Sequence, residues 1–149
     1  MAIEELGDEI ERDVATDVLD LALASGWDRP PVWVHGDVAP SNLLVAEGKL
    51  KAVIDFGCSA VGDPACDLVM AWTYFGDDSR ATFRNGVALD AGTWARARGW
   101  ALWKAVITVA RERPGRTLAD SAAPRWGWRA NPREVLAIVL ADGVQDSLG

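Results

Sequence analysis

Two short apolar runs with three residues between them constrain the fold of this chain more than any other feature. They are Asn42–Ala46 and Leu50–Asp55, with Glu47–Lys49 between them. Runs of this length, joined by a connection that contains glycine, predict an antiparallel β-hairpin. If Gly48 and Lys49 form a two-residue loop, Asn42 lies opposite Asp55. A different register, which would place a lysine opposite Leu44, fits less well.

Helical patterns surround this hairpin. Apolar residues recur at steps of three and four over Ile3–Leu21, which predicts an amphipathic helix of about six turns ending near Gly26. Two prolines then favour extended chain, and Val32–Val34 is predicted to be a short strand. Asp63 followed by Pro64 is typical of a helix start. Further helices are predicted over Pro64–Phe75, Ala91–Arg111 and Arg133–Leu140, with a break at Gly76–Ser79 and a loop over Arg113–Ala130.

These elements place the chain in the α+β class, mainly helical with a few short strands. Strands and helices do not alternate, which excludes a Rossmann-type parallel sheet. With 149 residues, half of them apolar and a quarter charged, residues 1–149 are predicted to form a single domain. Three tryptophans fall at helical spacing, for which core packing is the simplest interpretation: Trp94, Trp100 and Trp103.

Charge is spread unevenly along the chain, whose net charge is −7. Residues 1–30 hold nine acidic and two basic residues, which form either a solvated helix face or a rim that attracts a cationic ligand. An acidic chain is poorly suited to nucleic acid, whose phosphates are neutralised by lysine and arginine. No stretch approaches the ~20 apolar residues of a membrane helix, and the first residues lack the apolar run of a signal peptide. We therefore expect a cytoplasmic protein without membrane contact.

Residues that can carry chemistry cluster around the hairpin. They are His35-Gly36-Asp37 directly after the first strand, Asn42 where the hairpin begins, Asp55-Phe56-Gly57 where it ends, and Asp63 and Asp67 shortly after. In the favoured register Asn42 and Asp55 lie ~5 Å apart and offer the oxygen ligands that Mg²⁺ prefers. Asp37, on a loop at the same end, can orient a hydroxyl group and accept its proton. Phosphoryl transfer needs these parts, because metal ions spread the charge of the transferred group while a carboxylate positions the acceptor.

Three segments together resemble the aminoglycoside phosphotransferase family, a branch of the protein-kinase-like fold: H-G-D-V-A-P-S-N, V-I-D-F-G and G-D-P-A-C-D-L. The resemblance covers about Val32–Tyr74 and implies ATP- and Mg²⁺-dependent phosphoryl transfer to a hydroxyl of a small molecule. The implied acceptor is an aminoglycoside-type antibiotic or a related metabolite. The resemblance also implies that Asp37 is the catalytic base, that Asn42 and Asp55 bind Mg²⁺, and that Asp67 braces the catalytic loop through hydrogen bonds.

Members of that family hold the nucleotide with an N-terminal lobe. Here 34 residues precede His35, and they contain neither a lysine nor a glycine-rich strand-loop-strand pattern. We therefore expect this chain to be the C-terminal lobe, with weak ATP binding by itself. A separate chain with the N-terminal lobe, or a second copy of this chain, would then pack on an exposed apolar face.

Other interpretations stay open at this point. The chain can be a non-catalytic remnant or a binding module that pairs with a separate N-lobe chain, and a bare apolar face would favour this alternative. A metal-dependent hydrolase using Asp37, Asp55 and Asp63 is a weaker alternative, since no further ligand-rich motif is visible. His35 is more simply a ring hydrogen-bonded inside its loop than a catalytic group, and Asp63 more simply a helix cap.

Overall fold

The computed structural model describes residues 6–7, 10–111 and 130–146, and it has the α+β composition that the sequence predicts. Its helices are α1 Arg12–Ala24, α2 Met70–Thr73, α3 Asp77–Val87, α4 Ala91–Arg111 and α5 Pro132–Asp146. Its strands are β1 Val32–Val34, β2 Leu43–Ala46, β3 Lys49–Val53 and β4 Ala60–Gly62. Within the described ranges, no helix is long and apolar enough to cross a membrane.

Helix α4 lies at the centre of the core, and its bounds are those predicted from the sequence. Helices α1 and α5 and the 3-10 turn Pro64–Leu68 pack against it. The largest fully buried side chains include Trp72, Leu102 and Val109. Trp94 is buried as predicted, but Trp100 and Trp103 are 44% and 48% exposed, so the core interpretation is wrong for these two.

Helix α1 is shorter than the predicted six turns, because it begins at Arg12. Gly7 has φ +56°, a left-handed conformation that interrupts a helix, and residues 1–5 and 8–9 lie outside the described part. Val18 is buried as predicted. A Cβ on Gly99 of α4 would lie 2.7 Å from Cβ of Ala22, so the absence of a side chain at Gly99 lets the two helices approach closely.

The hairpin forms as predicted, but the predicted register is wrong. Residues Glu47 and Gly48, with φ of 54° and 70°, form the turn, and Lys49 is already the first residue of β3. Two successive left-handed residues suit the twist of a tight hairpin. Leu43 pairs with Val53, and an irregularity shifts the register beyond Leu44. Asn42 consequently faces Ile54, whose N–H donates to the Asn42 carbonyl at 2.9 Å, and not Asp55.

Strand β1 pairs with β4 in an antiparallel arrangement that the sequence did not predict. Val34 lies opposite Ala60, so the residues that follow β1 are held beside the residues that precede β4. These are His35–Asp37 on one side and Asp55–Cys58 on the other. The pairing therefore brings two of the three predicted chemical segments together.

The region after β4 differs from the single predicted helix. The 3-10 turn Pro64–Leu68 comes first, and α2 follows as a separate short helix. The segment Gly76–Ser79, predicted as a break, contains the start of α3, where Asp77 and Asp78 stabilise the positive helix end. Helix α5 extends beyond the predicted Arg133–Leu140. Residues 112–129, which include all but the last residue of the predicted loop, lie outside the described part.

Candidate active site

The loop after β1 is held by one carboxylate. Asp67, in the 3-10 turn that follows β4, accepts hydrogen bonds from the main-chain N–H of His35 at 2.7 Å and of Gly36 at 2.8 Å. Both bonds are strengthened by the charge of the acceptor. The Sγ atom of the neighbouring Cys66 lies 3.8 Å from Asp67 Oδ1. Burial of this thiol, together with the charge of Asp67, raises the pKa of Cys66 to about 11. The thiol is therefore protonated and donates to the same carboxylate.

His35 connects the loop to the hairpin through both of its ring nitrogens. Its Nε2 lies 2.8 Å from the carbonyl of Ile54, and its Nδ1 accepts from the N–H of Asp37 at 3.3 Å. From these partners we assign the tautomer with hydrogen on Nε2. The ring also packs against Phe56, with centroids 4.7 Å apart, and is 7% exposed. These contacts occupy the ring, and they agree with a supporting role for the only histidine of the chain.

Gly36 allows a close contact between the two segments. Its φ is +81°, and a Cβ built there would lie 2.2 Å from the carbonyl oxygen of Cys58. No side chain fits at that distance, so the loop reaches the Asp55–Cys58 segment only because residue 36 is glycine. The backbone around the two predicted aspartates is thus joined by main-chain contacts as well as by His35.

Asp37 and Asn42 are in direct contact. The Nδ2 group of Asn42 donates to the main-chain carbonyl of Asp37 at 2.9 Å and lies 3.5 Å from Asp37 Oδ2. Asn42 is 7% exposed, at the end of the 3-10 turn Pro40–Asn42, whereas the Asp37 side chain is 27% exposed. The carboxylate of Asp37 is therefore accessible to solvent, whereas the side chain of Asn42 is buried.

Asp55 follows Ile54 directly and is exposed. Its φ of 63° is left-handed, a conformation that aspartate tolerates better than most residues and that is often found at functional sites. Ile54 bonds to Asn42 through its N–H and to His35 through its carbonyl. Asp55 thus lies one residue from the point where the loop, the hairpin and the histidine meet.

The donor set fits a hard cation such as Mg²⁺. Once Nδ2 of Asn42 is bonded to Asp37, the other polar atom of that side chain is an amide oxygen, and Asp55 supplies a carboxylate. Mg²⁺ typically takes one or two protein oxygens together with water and substrate phosphates. In the part of the chain that the structure describes, no three His, Cys, Asp or Glu residues form a metal cluster.

Asp63 is not part of this group. Its Oδ1 accepts from the N–H of Ala65 at 3.1 Å, as a helix cap does, and its Oδ2 lies 2.6 Å from Nε of Arg96. The hydrolase interpretation, which needs Asp63 beside Asp37 and Asp55, is therefore wrong. The predicted cap is confirmed, and the added ion pair connects the start of the 3-10 turn to α4.

Lys104 is the residue near the site that the sequence interpretation missed. Its Nζ lies 3.1 Å from Asp37 Oδ1, and its side chain is 11% exposed. It lies on the buried face of α4, three residues after Ala101 and four before Thr108, both of which are buried. A lysine at a buried position of a predicted helix signals a charged partner, because lysine is rarely buried alone.

The chain is similar in sequence to one family of enzymes. The model of the phosphotransferase enzyme family matches residues 2–100. An aminoglycoside 3'-phosphotransferase from Escherichia coli is 43% identical over 42 residues, which is 28% of this chain and 16% of that protein. The match to this relative thus spans about a sixth of its length. No solved structure matches the chain significantly.

Proposed function

Because this chain belongs to the phosphotransferase enzyme family, we propose that it carries the site at which the γ-phosphoryl group of ATP is transferred to a hydroxyl of a small molecule. The observation that carries the proposal is the position of Asp37. It is a partly exposed carboxylate on a loop that Asp67 and His35 fix to the residues around Asp55. Phosphoryl transfer requires little more from a protein than positioning and charge.

Asp37 is the residue we assign to the acceptor. Its carboxylate accepts a hydrogen bond from the acceptor hydroxyl and takes the proton as the new oxygen–phosphorus bond forms. The bond between the γ-phosphorus and the bridging oxygen breaks, and ADP leaves. Asn42 and Asp55 are the residues that would hold Mg²⁺, which when bound neutralises charge on the phosphate oxygens.

The acceptor is the second substrate of this reaction. The relative from Escherichia coli is named for aminoglycosides, and we propose that the acceptor of this chain is an aminoglycoside-type antibiotic or a related hydroxylated metabolite. The acidic residues on the exposed face of α1, which include Asp13, Asp17 and Asp20, would attract a cationic acceptor.

The nucleotide side of the site is the second part of the proposal. Large apolar side chains are exposed on the two β-ribbons, namely Trp33, Val45, Leu50 and Val61, and Phe56 is exposed in the turn between β3 and β4. Contiguous exposed apolar surface usually marks an interface. We propose that the base of ATP and a nucleotide-binding lobe pack against this face, which we call the ribbon face; a second copy of this chain is the alternative occupant.

The test is transfer of label from [γ-³²P]ATP with Mg²⁺ to an aminoglycoside, an amino sugar and a neutral sugar. We expect D37N to abolish transfer in a protein that remains folded, and D55N to raise the Mg²⁺ concentration needed for half-maximal transfer. D78N, which changes an exposed aspartate in the first turn of α3, serves as the matched control and keeps wild-type activity. Undiminished transfer by D37N would contradict the proposal. Binding of Mg-ATP without transfer to any acceptor would favour the binding-module alternative.

A further inference from the structure

We propose that Lys104 is a positioning residue that reserves Asp37 for the acceptor hydroxyl by keeping the divalent cation away from this carboxylate. The inference rests on the proposed function and adds a role for a residue outside the three family segments. It concerns which of two neighbouring carboxylates the metal uses. The role assigned to Lys104 is exerted through its ion pair with Asp37.

The geometry of the pair is well defined. Nζ of Lys104 lies 3.1 Å from Oδ1 of Asp37, and the lysine side chain is less exposed than the aspartate, 11% against 27%. Ala101 and Ala105, on the same helix, are fully buried, and Thr108 donates to the carbonyl of Lys104 at 2.7 Å. The ammonium group is thus the more buried partner of the pair, and the carboxylate of Asp37 remains partly accessible to solvent.

A divalent cation has a physical reason to bind both aspartates. Asp37 contacts Asn42, and the main chain of Asn42 is bonded to Ile54, the residue before Asp55, so Asn42 and Ile54 link the segments that carry the two aspartates. A cation gains affinity with every carboxylate it binds. If Asp37 became a metal ligand, its lone pairs would no longer be available to the acceptor hydroxyl.

The ammonium group of Lys104 opposes that outcome in two ways. It occupies Oδ1 of Asp37, and it repels a second positive charge brought to the same carboxylate. Oδ2, which makes a longer contact of 3.5 Å with Asn42 Nδ2, is the oxygen we assign to the hydroxyl. During transfer the hydroxyl proton moves to Oδ2, the bond between the acceptor oxygen and the γ-phosphorus forms, and the bond from the γ-phosphorus to the bridging oxygen breaks as ADP departs.

The inference is tested by Mn²⁺ binding, which does not depend on turnover. Mn²⁺ is titrated calorimetrically into the wild type, K104M, K104R, D37N and the double variant K104M/D37N. We expect K104M to bind Mn²⁺ about tenfold more tightly than the wild type, because a neutralising charge beside a carboxylate is lost. K104R keeps wild-type affinity, and adding D37N to K104M removes the gain.

K51M is the matched control, because it also removes one positive charge but from an exposed position on β3. It keeps wild-type Mn²⁺ affinity. If K104M does not fold, K104Q replaces it in the same titration. Unchanged or weaker Mn²⁺ binding by the Lys104 variant overturns the inference, as does a gain that persists in the double variant.

The transfer assay separates this inference from the proposed function. Loss of transfer in D37N together with unchanged Mn²⁺ binding in K104M means that the function stands and the inference fails. Undiminished transfer in D37N means that the proposed function fails, whatever the titration gives. Where transfer is measurable, K104M lowers kcat with little change in the KM for ATP, and K104R restores kcat.

Discussion

Removing the carboxylate of Asp67 tests how the loop of Asp37 is held. In D67A the main-chain N–H groups of His35 and Gly36 lose their acceptor, to which they are bonded at 2.7 and 2.8 Å. In D67N one oxygen stays as an acceptor, but the new NH₂ group faces the other N–H. The two substitutions should therefore differ in a defined direction, with D67A more destabilising.

The magnitude follows from the two hydrogen bonds. A hydrogen bond to a charged group contributes about 1.5–3 kcal/mol, so two bonds contribute about 3–6 kcal/mol. Asp67 is partly exposed, and water replaces part of what is lost, which favours the lower end. We expect D67A to lower the free energy of unfolding by about 3 kcal/mol and D67N by about half of that. Both losses are large against a total stability of about 5–15 kcal/mol.

Urea unfolding followed by tryptophan fluorescence measures these differences. D17N is the matched control, since it neutralises an exposed aspartate of α1, and it should change stability by less than about 0.5 kcal/mol. The D67N protein should stay folded but transfer phosphoryl groups more slowly than the wild type, because Asp37 is displaced together with its loop. A D67A protein within 0.5 kcal/mol of the wild type would refute the reasoning.

Three further perturbations test the same geometry. G36A should lower the free energy of unfolding by about 2–3 kcal/mol, because its Cβ meets a carbonyl and φ is positive, whereas G26A, in open space, should be nearly neutral by the same urea titration. At pH 8 only about one Cys66 in a thousand is a thiolate, so mass spectrometry should find iodoacetamide on the exposed Cys58 first; equal rates would contradict the raised pKa. Capping bonds at the start of α4 hold the pKa of Asp90 below its ordinary value of 3.8, so the stability that this carboxylate contributes is present above that pH and is lost as the pH falls below it. Acid unfolding followed by circular dichroism should show that the difference in stability between the wild type and D90N disappears as the pH falls below 3.8. A difference in stability that does not depend on pH would be evidence against the cap.

The sequence predicts well the elements that are determined by neighbouring residues and the helices that are long. The bounds of α4 were predicted because 21 residues of helical pattern leave little ambiguity. The hairpin and the strand Val32–Val34 follow from short apolar runs bounded by turn residues. The cap at Asp63 is visible from the residue type and from the proline that follows it, and Asp63 accepts from the N–H of Ala65 at 3.1 Å.

What the sequence does not predict depends on non-local contacts or on unusual backbone. The register was wrong because Glu47, an ordinary residue, adopts a left-handed conformation in the turn. The pairing of β1 with β4 joins two strands of three residues each, too short to be matched by pattern. Lys104 lies 67 residues from Asp37, and only the packing of α4 brings the two together. The roles of Asp37, Asn42 and Asp55 themselves stay predictions.

Paramagnetic broadening by Mn²⁺ in the presence of ATP tests the central claim most directly, namely that Asp37, Asn42 and Asp55 surround one phosphoryl-transfer site. In ¹⁵N-labelled protein we predict that the side-chain NH₂ signal of Asn42 and the main-chain N–H signals of Asp37 and Asp55 broaden together, and that D55N removes the effect. Broadening centred on the acidic face of α1, with these three signals unchanged, would contradict the account.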